Sequence, residues 1–342
     1  MANITPISTL PTERSRRMLA LLLSTSPFFQ FIERRGGFEL AATDFDLYPN
    51  AGESDPQKRG VGTGYSQRSE TPPSRESETL GFHGDRITID RSHLADDRQT
   101  LRPIQTWVPK RLRKKVRHWA KGVEKLAFQG SGVDDNTGRE VMGLLTLLDG
   151  TNVPGFSKPM VIDAADFVSA DVNHLDLTKE SHRKAFRRAL EQILPNYDNP
   201  GLLCNRQLAS TISGIAQDAR RYDTDPDDIF GMVERVFGFE LVRLVDGTIT
   251  NTEPDNASTP NNVTTSLVIA SPEEGQYSVA TNSGLYVKDE LDDVPDADNT
   301  DAGREIEWEM RFENAVQDEY VLLRIRNIKV APGSDVYGDF GA

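Results

Sequence analysis

The sequence has few of the residues and motifs on which catalytic and metal centres depend. Its single cysteine, Cys204, excludes an internal disulfide and cannot build a zinc site. It contains no Walker loop, no G-x-S-x-G nucleophile motif and no H-E-x-x-H metal motif. His83 and His93, and likewise His174 and His182, are too far apart to hold a metal ion from one helix. The sequence therefore predicts no enzymatic activity, no bound metal and no cofactor.

Long apolar runs are also missing. The longest, residues 18–23, is far shorter than the roughly 20 residues of a membrane span, so no membrane association is predicted. Hydrophobic residues make up 37% of the chain and charged residues 27%, which is a globular composition with a polar excess. A length of 342 residues is enough for one large or two ordinary domains with a substantial core.

The charge balance is acidic, with 53 Asp and Glu against 39 Lys and Arg, and a net charge of -14. Arg exceeds Lys by 28 to 11, and Asp exceeds Glu by 31 to 22. Carboxylate-rich surfaces keep proteins soluble through like-charge repulsion. A halophilic source is therefore one hypothesis and the codon bias of a GC-rich genome is the other. Equal stability of the purified protein in molar salt and in dilute buffer would contradict the hypothesis of a halophilic source.

One stretch, residues 109–130, has a clear helical period. Pro109 is typical of a first helical turn, and Gly130 and Gly132 are typical of a helix exit, where a positive φ is needed. Spacings of four, three, four and three separate its apolar residues, which predicts one buried face. These residues are Leu112, Val116, Trp119, Val123 and Leu126.

The other positions of this predicted helix are strongly basic, and only Glu124 opposes them. Two interpretations stay open. The basic residues form a solvated face that pairs with acidic neighbours, or they face a polyanion whose phosphates they neutralise without reading sequence. No DNA-recognition motif accompanies the helix, so sequence-specific binding is not expected. The candidate basic strip consists of Lys110, Arg111, Arg113, Lys114, Lys115, Arg117, Lys121 and Lys125.

The rest of the chain mixes helical and strand patterns without a βαβ rhythm, which favours an α+β fold. Amphipathic periods predict helices over residues 178–194 and 206–220. Alternation predicts a strand over residues 236–245, short strands over 267–270, 276–281 and 285–288, and long strands from residue 304 to residue 328.

The region after the basic helix resembles a known family. A helix ending in Glu124, Ala127 and Phe128 is followed by Gly130-Ser131-Gly132 and, after a polar spacer, by Met142-Gly143-Leu144-Leu145. This order is similar to the spine-helix region of tailed-virus major capsid proteins of the Hong Kong 97 type, in which a pattern close to E-x-x-A-F-x-G-x-G precedes G-[IL]-[IL]. The resemblance extends loosely from about Asp85 onward.

The resemblance implies a Hong Kong 97-like coat fold with an N-terminal arm, an extended loop, a peripheral domain and an axial domain. The arm would comprise residues 1–48, the loop 49–100, and the peripheral domain 101–194 with its spine helix at 109–130. The axial domain would be 195–303, and residues 304–342 would supply return strands and a C-terminal tail. The aromatic residues Phe28, Phe29 and Phe31 belong to the arm, which the resemblance implies would lie against a neighbouring subunit.

The function that the resemblance implies is a major capsid protein. Hexamers and pentamers would form an icosahedral shell around double-stranded DNA, assembled in the host cytoplasm. Other implied partners are a portal and decoration or scaffolding proteins. The spine helix of the family lies along the inner side of the shell, which favours a DNA-facing basic strip. No cross-linking Lys–Asn pair or catalytic Glu can be matched, so covalent cross-linking is not predicted.

Two alternative functions remain. An encapsulin-type compartment shell shares these motifs, and an enzyme with an unrecognised site is the weaker possibility. The acidic loop 289–301 partly matches a calcium-binding template. Asp296, Asp298 and Glu307 occupy the first, third and twelfth places of a calcium-loop template, but Asp301 stands where the template needs glycine. A solvated acidic loop is therefore the favoured interpretation.

Overall fold

A computed structural model provides the fold. It describes residues 20–40, 44–47, 74–77, 80–90, 104–135, 138–149, 161–169, 172–218, 222–224, 233–272, 277–291, 303–316 and 321–330. Residues 20–25 are helical. The α-helices that follow are α1 (Pro27–Arg34), α2 (Ile104–Gln129), α3 (Leu144–Leu148), α4 (Glu180–Ile193) and α5 (Arg206–Asp218). Short 3-10 helices lie at Ala164–Phe167 and Leu194–Asn196.

The strands in chain order are β1 (Phe38–Leu40), β2 (Asp44–Leu47), β3 (Ser74–Ser77), β4 (Gly81–Asp90), β5 (Asp134–Asp135), β6 (Gly138–Arg139), β7 (Val161–Asp163), β8 (Leu175–Asp176), β9 (Gly201–Cys204), β10 (Tyr222–Thr224), β11 (Val233–Val236), β12 (Phe239–Arg243), β13 (Glu253–Pro254), β14 (Asn262–Ala270), β15 (Tyr277–Leu291), β16 (Gly303–Val316) and β17 (Leu322–Lys329). A four-stranded sheet has the order β1-β15-β16-β4. A nine-stranded sheet has the order β10-β11-β12-β9-β14-β17-β7, with β13 on β14 and β8 on β17. The fold therefore mixes helices and sheets, as predicted.

The nine-stranded sheet lies between two hydrophobic cores. Along β9 and β14, neighbouring residues alternate between them, so that Leu203 and Val268 join one core while Leu202 and Ile269 join the other. The first core contains α1, α2 and the four-stranded sheet, and the second contains α4 and α5. Burial on both faces explains why these strands read as continuous apolar runs.

The long strands follow the predicted alternation. In β16, Ile306, Trp308 and Met310 are buried, while Glu307 and Glu309 on the other face are partly exposed. β16 pairs antiparallel with β15 on one side and with β4 on the other. The separate strands predicted at 276–281 and 285–288 are one strand, β15, with an irregularity in pairing between them.

The single strand predicted over residues 236–245 is wrong. Phe237 and Gly238 have φ of 52° and 93° and form the two-residue turn between β11 and β12, with Val236 paired to Phe239. Two successive positive φ angles are typical of a type I′ turn, which matches the twist of the strands that it joins. The Phe237 side chain is buried in the second core.

The sheets cut across the predicted domain boundaries. Strands β7 and β8, from the stretch 101–194, pair with β17 in the nine-stranded sheet. Strand β15, from the stretch 195–303, pairs with β16 in the four-stranded sheet. Strand β3, from the predicted loop 49–100, pairs with β2, from the predicted arm 1–48. Strand β4 also belongs to that loop, whereas residues 49–73, 78–79 and 91–100 of the loop, residues 1–19, 41–43 and 48 of the arm, and the tail 331–342 lie outside the described residues.

The aromatic cluster of the predicted arm lies in the chain's own core. Phe28, Phe29 and Phe31 are fully buried, and Phe28 packs edge to face on Phe128 of α2 with ring centroids 5.0 Å apart. Phe29 makes a similar contact with Phe312 of β16 at 5.7 Å. The expectation that these residues contact a neighbouring subunit is therefore wrong, because their apolar area is already covered within the chain.

Helix α2 has the predicted inward face, with Val116 and Val123 buried and Leu112, Trp119 and Leu126 partly buried. It begins at Ile104 instead of Pro109, so the proline lies in the second turn, where it removes one intrahelical hydrogen bond without ending the helix.

Glu124 is buried, although its charge predicts a position on the exposed basic face. Its side chain has no exposed area, and it accepts hydrogen bonds from two separate parts of the chain. Oε2 accepts from the Ser26 hydroxyl and from the Phe28 N–H at 3.4 Å. Oε1 accepts from the Val245 N–H at 2.6 Å and from the Thr248 hydroxyl at 3.3 Å. Burial raises the pKa of Glu124, and these four donors act against that shift.

The glycines after α2 allow a close backbone contact. A Cβ on Gly130 would lie 2.0 Å from the Val141 carbonyl oxygen, and one on Gly143 would lie 2.4 Å from the Gly130 nitrogen. The Gly143 N–H donates to the Gly130 carbonyl at 2.9 Å. Gly132 has the predicted positive φ, 67°, whereas Gly130 is needed for space and not for φ. The E-x-x-A-F-x-G-x-G and G-L-L segments therefore pack against each other.

We expect Glu124→Ala to lower the free energy of unfolding by about 3 kcal/mol or more, because four buried donors lose their acceptor. Glu124→Gln should cost less. Because its folded pKa is raised, Glu124 favours folding most below the ordinary carboxyl pKa, and this stability is lost as pH rises through the raised value. Urea unfolding at several pH values would show this slope in the wild type and not in Glu124→Gln. Glu180→Gln, at an exposed site, should keep this pH slope. Equal stability of Glu124→Ala and the wild type would contradict the stabilising role of Glu124.

Two glycine substitutions, one inside α2 and one directly after it, should have opposite effects. Gly130→Ala should destabilise the protein by at least about 2 kcal/mol, because the new methyl group would overlap backbone oxygens of Val141 and Leu126. Gly122→Ala has open space and should stabilise the helix by about 0.5–1 kcal/mol. Thermal unfolding would compare them, and a stabilising Gly130→Ala would refute the close contact.

Candidate functional site

The basic strip predicted from the sequence is divided by the structure. All eight residues lie in α2, although the side chains of Lys110 and Arg111 fall outside the described part of the chain. Four of the others are exposed and two, Lys115 and Lys125, are half-buried. The exposed residues are Arg113, Lys114, Arg117 and Lys121.

These four exposed cations line one groove with a volume of about 590 Å³. Arg113, Arg117 and Lys121 recur every four residues, so they follow one line along the helix surface. His118 lies beside them on the next line of the same helix. Ser24 and Thr25, from the helical segment 20–25, complete the lining. These seven residues form the cationic groove.

No carboxylate neutralises the cationic groove within the described part of the chain. The only acidic residue of α2 is Glu124, and its side chain is buried and accepts its hydrogen bonds from Ser26, Phe28, Val245 and Thr248. Ion pairs within 4 Å bind other cations of the chain, such as Arg35 to Glu240 at 2.7 Å. Among the described residues no such pair involves the four groove cations. Like charges held together in this way create a positive potential that attracts anions.

Lys115 and Lys125 have different surroundings. The Lys115 ammonium donates to the Arg86 carbonyl of β4 at 2.9 Å and lies 3.6 Å from an Asp85 carboxylate oxygen. The Lys125 ammonium lies 3.0 Å from the position that a Cβ on Gly247 would occupy, at the turn that also contains Thr248. Lys115 therefore has an acidic neighbour, and the groove residues are those for which a polyanion remains the candidate partner.

Sequence reasoning missed three residues of the cationic groove. His118 follows Lys114 by four residues, so a helical projection could have placed it on the basic face. Ser24 and Thr25 gave no such signal, because only the tertiary fold brings the segment 20–25 beside α2.

The other candidate residues do not form a site. No group of three metal-ligating side chains occurs among the described residues. Burial lowers the pKa of His83, whose Nε2 accepts from the Val141 N–H at 3.3 Å, so its neutral form is favoured. Burial raises the pKa of Cys204 to about 12, which keeps the thiol protonated and unreactive at neutral pH.

The calcium-loop template finds no support in the described part. Asp296, Asp298 and Asp301 lie outside the described residues, and Glu307 lies inside β16, where it pairs in register with Lys288 and Arg86 on the neighbouring strands.

None of the helices in the described ranges is both long enough and apolar enough to cross a membrane. No family model matches the sequence. No curated protein matches it either. The similarity to known proteins lies in the three-dimensional structure.

Three solved structures have a similar fold. The first is a chain of the satellite phage P4 procapsid, a particle that includes the size determination (Sid) protein. It matches with a TM-score of 0.51 at 11% identity, and the match covers 92% of this chain and 100% of that chain. A chain of the capsid of a native GTA particle also gives 0.51, at 13% identity and with 87% and 89% covered. The holo-SrpI encapsulin complex from Synechococcus elongatus PCC 7942 gives 0.51, at 12% identity and with 86% of each chain covered. The chain therefore has the Hong Kong 97-like fold of phage capsid proteins, a fold that it also shares with an encapsulin.

Proposed function

We propose that this chain is the major capsid protein of a tailed virus, which assembles as hexamers and pentamers into an icosahedral shell around double-stranded DNA. The observation that carries the proposal is the capsid-protein fold, which extends over 92% of the chain in the comparison with the P4 procapsid. The cationic groove supports the DNA component, because phosphate neutralisation is independent of sequence and suits a densely packed genome.

In the proposed shell, α2 is the spine helix and its cationic groove faces the interior. The four-stranded sheet with α2 would form the peripheral domain, and the nine-stranded sheet with α4 and α5 would form the axial domain. This assignment defines the two domains by their sheets instead of by the predicted boundaries at residues 194 and 303, because the strands of one sheet belong to one structural unit. An N-terminal arm would then precede the buried residues that begin at Leu22.

The remaining proposed partners are those that a tailed-virus shell requires. Other copies of the chain would supply most contacts, with a portal at one vertex and decoration or scaffolding proteins as further components. The protein would assemble in the host cytoplasm and remain in the virion. A halophilic source stays a prediction from the acidic composition.

An encapsulin-type compartment is the alternative function. The encapsulin comparison gives the same TM-score as the two capsid comparisons, so the fold does not separate the two functions. An unneutralised cationic groove favours the viral shell, since a protein cargo has no phosphate to neutralise. An enzyme is disfavoured, because the comparisons are with shell proteins and no reactive site forms among the described residues.

The first test is electron cryomicroscopy of the assembled protein, with absorbance at 260 nm to detect nucleic acid. Closed icosahedral shells that contain DNA are the expected result. Shells filled with a protein cargo and free of nucleic acid would favour the encapsulin function. A monomer or small oligomer at every salt concentration would refute both kinds of shell.

Charge reversal in the cationic groove should separate genome packaging from shell assembly. We expect Lys114→Glu combined with Arg117→Glu to reduce DNA-filled particles several-fold while empty particles form at nearly wild-type yield, because both side chains are exposed. Gradient centrifugation would separate the two kinds of particle. Lys184→Glu combined with Arg188→Glu, two exposed cations of α4, serves as the charge-matched control outside the groove. An equal loss of filled and empty particles in the groove variant would indicate a structural role.

A further inference from the structure

The cationic groove is built from two segments that are far apart in the sequence. One wall is α2, which provides Arg113, Lys114, Arg117, His118 and Lys121, and the other wall is the end of the helical segment 20–25. A ligand that fills the groove therefore contacts both segments at once.

The second wall is attached to α2 through a buried hydrogen-bonded junction. Directly after Thr25, Ser26 caps α1 by accepting from the Phe29 N–H at 3.3 Å, and its hydroxyl donates to Glu124. Glu124 follows Lys121 by three residues, so the junction lies less than one helical turn from the end of the groove. The seating of the N-terminal helices and the shape of the groove therefore depend on the same contacts.

The lining selects a ligand with several negative charges. Arg113, Arg117 and Lys121 span eight residues, or roughly 12 Å of helix, which is the axial length of three to four nucleotides of one DNA strand. Arginine presents forked donors that suit phosphate oxygens. The described lining contains no Phe, Tyr or Trp, the large aromatic platforms on which single-stranded bases stack. These features fit a sugar-phosphate backbone read without regard to sequence.

We infer that the cationic groove is a phosphate-backbone site that, when occupied, clamps the N-terminal helices onto α2. The inference rests on the proposed function and deepens it, because packaged DNA becomes a ligand that stabilises the subunit. A ligand that binds only when both walls are in place stabilises that arrangement by mass action. It also relieves the mutual repulsion of four cations that have no carboxylate partner among the described residues.

The first measurement is the salt dependence of binding between the full-length protein and a short double-stranded oligonucleotide. Replacing Arg117 and Lys121 together by Gln should lower the slope of log K against log[salt] by about 2 and weaken binding at least tenfold in dilute buffer. Lys115→Gln is the matched control and should retain the wild-type slope, because Lys115 already bonds to β4. An unchanged slope in the double variant would overturn the inference.

The second measurement is hydrogen exchange of the backbone amides of residues 20–34 with and without the oligonucleotide. Protection should rise on binding in the wild type and in Lys115→Gln, and should not rise in the double variant. Binding without any gain in protection would refute the clamp. Equal protection by a polyglutamate peptide of matched charge would refute phosphate recognition, because the groove would then accept any acidic chain.

These results are separable from the outcome for the proposed function. If the double variant formed shells with wild-type DNA content and wild-type hydrogen exchange, the phosphate site would be refuted and the capsid assignment would stand. Failure of the wild type to form shells, with oligonucleotide binding and protection as expected, would support the groove and refute the capsid assignment.

Discussion

A buried carboxylate, with no cationic partner among the described residues, fixes the relative positions of three parts of this fold. Glu124 lies inside an apolar core, where an ionised group is costly unless hydrogen bonds replace its water. Its four donors come from the start of α1 and from the turn after β12. The N-terminal helices, α2 and the turn after β12 of the nine-stranded sheet therefore meet at one residue.

Much of the fold follows from local sequence patterns. The inward face of α2 and the alternation of β16 were predictable, because each is a periodic pattern with one buried side. The turn at Phe237 was not, since aromatic residues rarely adopt positive φ and their presence favours a continued strand. The burial of Glu124 was also hidden. A charged residue indicates surface, and only donors distant in sequence reverse that expectation.

The candidate site was predictable only in outline. Eight basic positions on one helix could be read from the sequence, but their division into groove and ion-paired residues could not. Lys115 differs from Arg117 because β4 brings Asp85 and a backbone carbonyl beside it. The groove needs a second wall, and Ser24 and Thr25 become that wall only when Ser26 bonds to Glu124.

The alternation of side chains in the nine-stranded sheet has a consequence for how the chain unfolds. Leu202 and Leu203 are consecutive residues of β9, yet they belong to different cores, and Leu322 and Leu323 of β17 are divided in the same way. Neither core can lose its packing while these strands keep the geometry that the other requires. The two cores are therefore expected to unfold as one cooperative unit, although the sheet separates them in space.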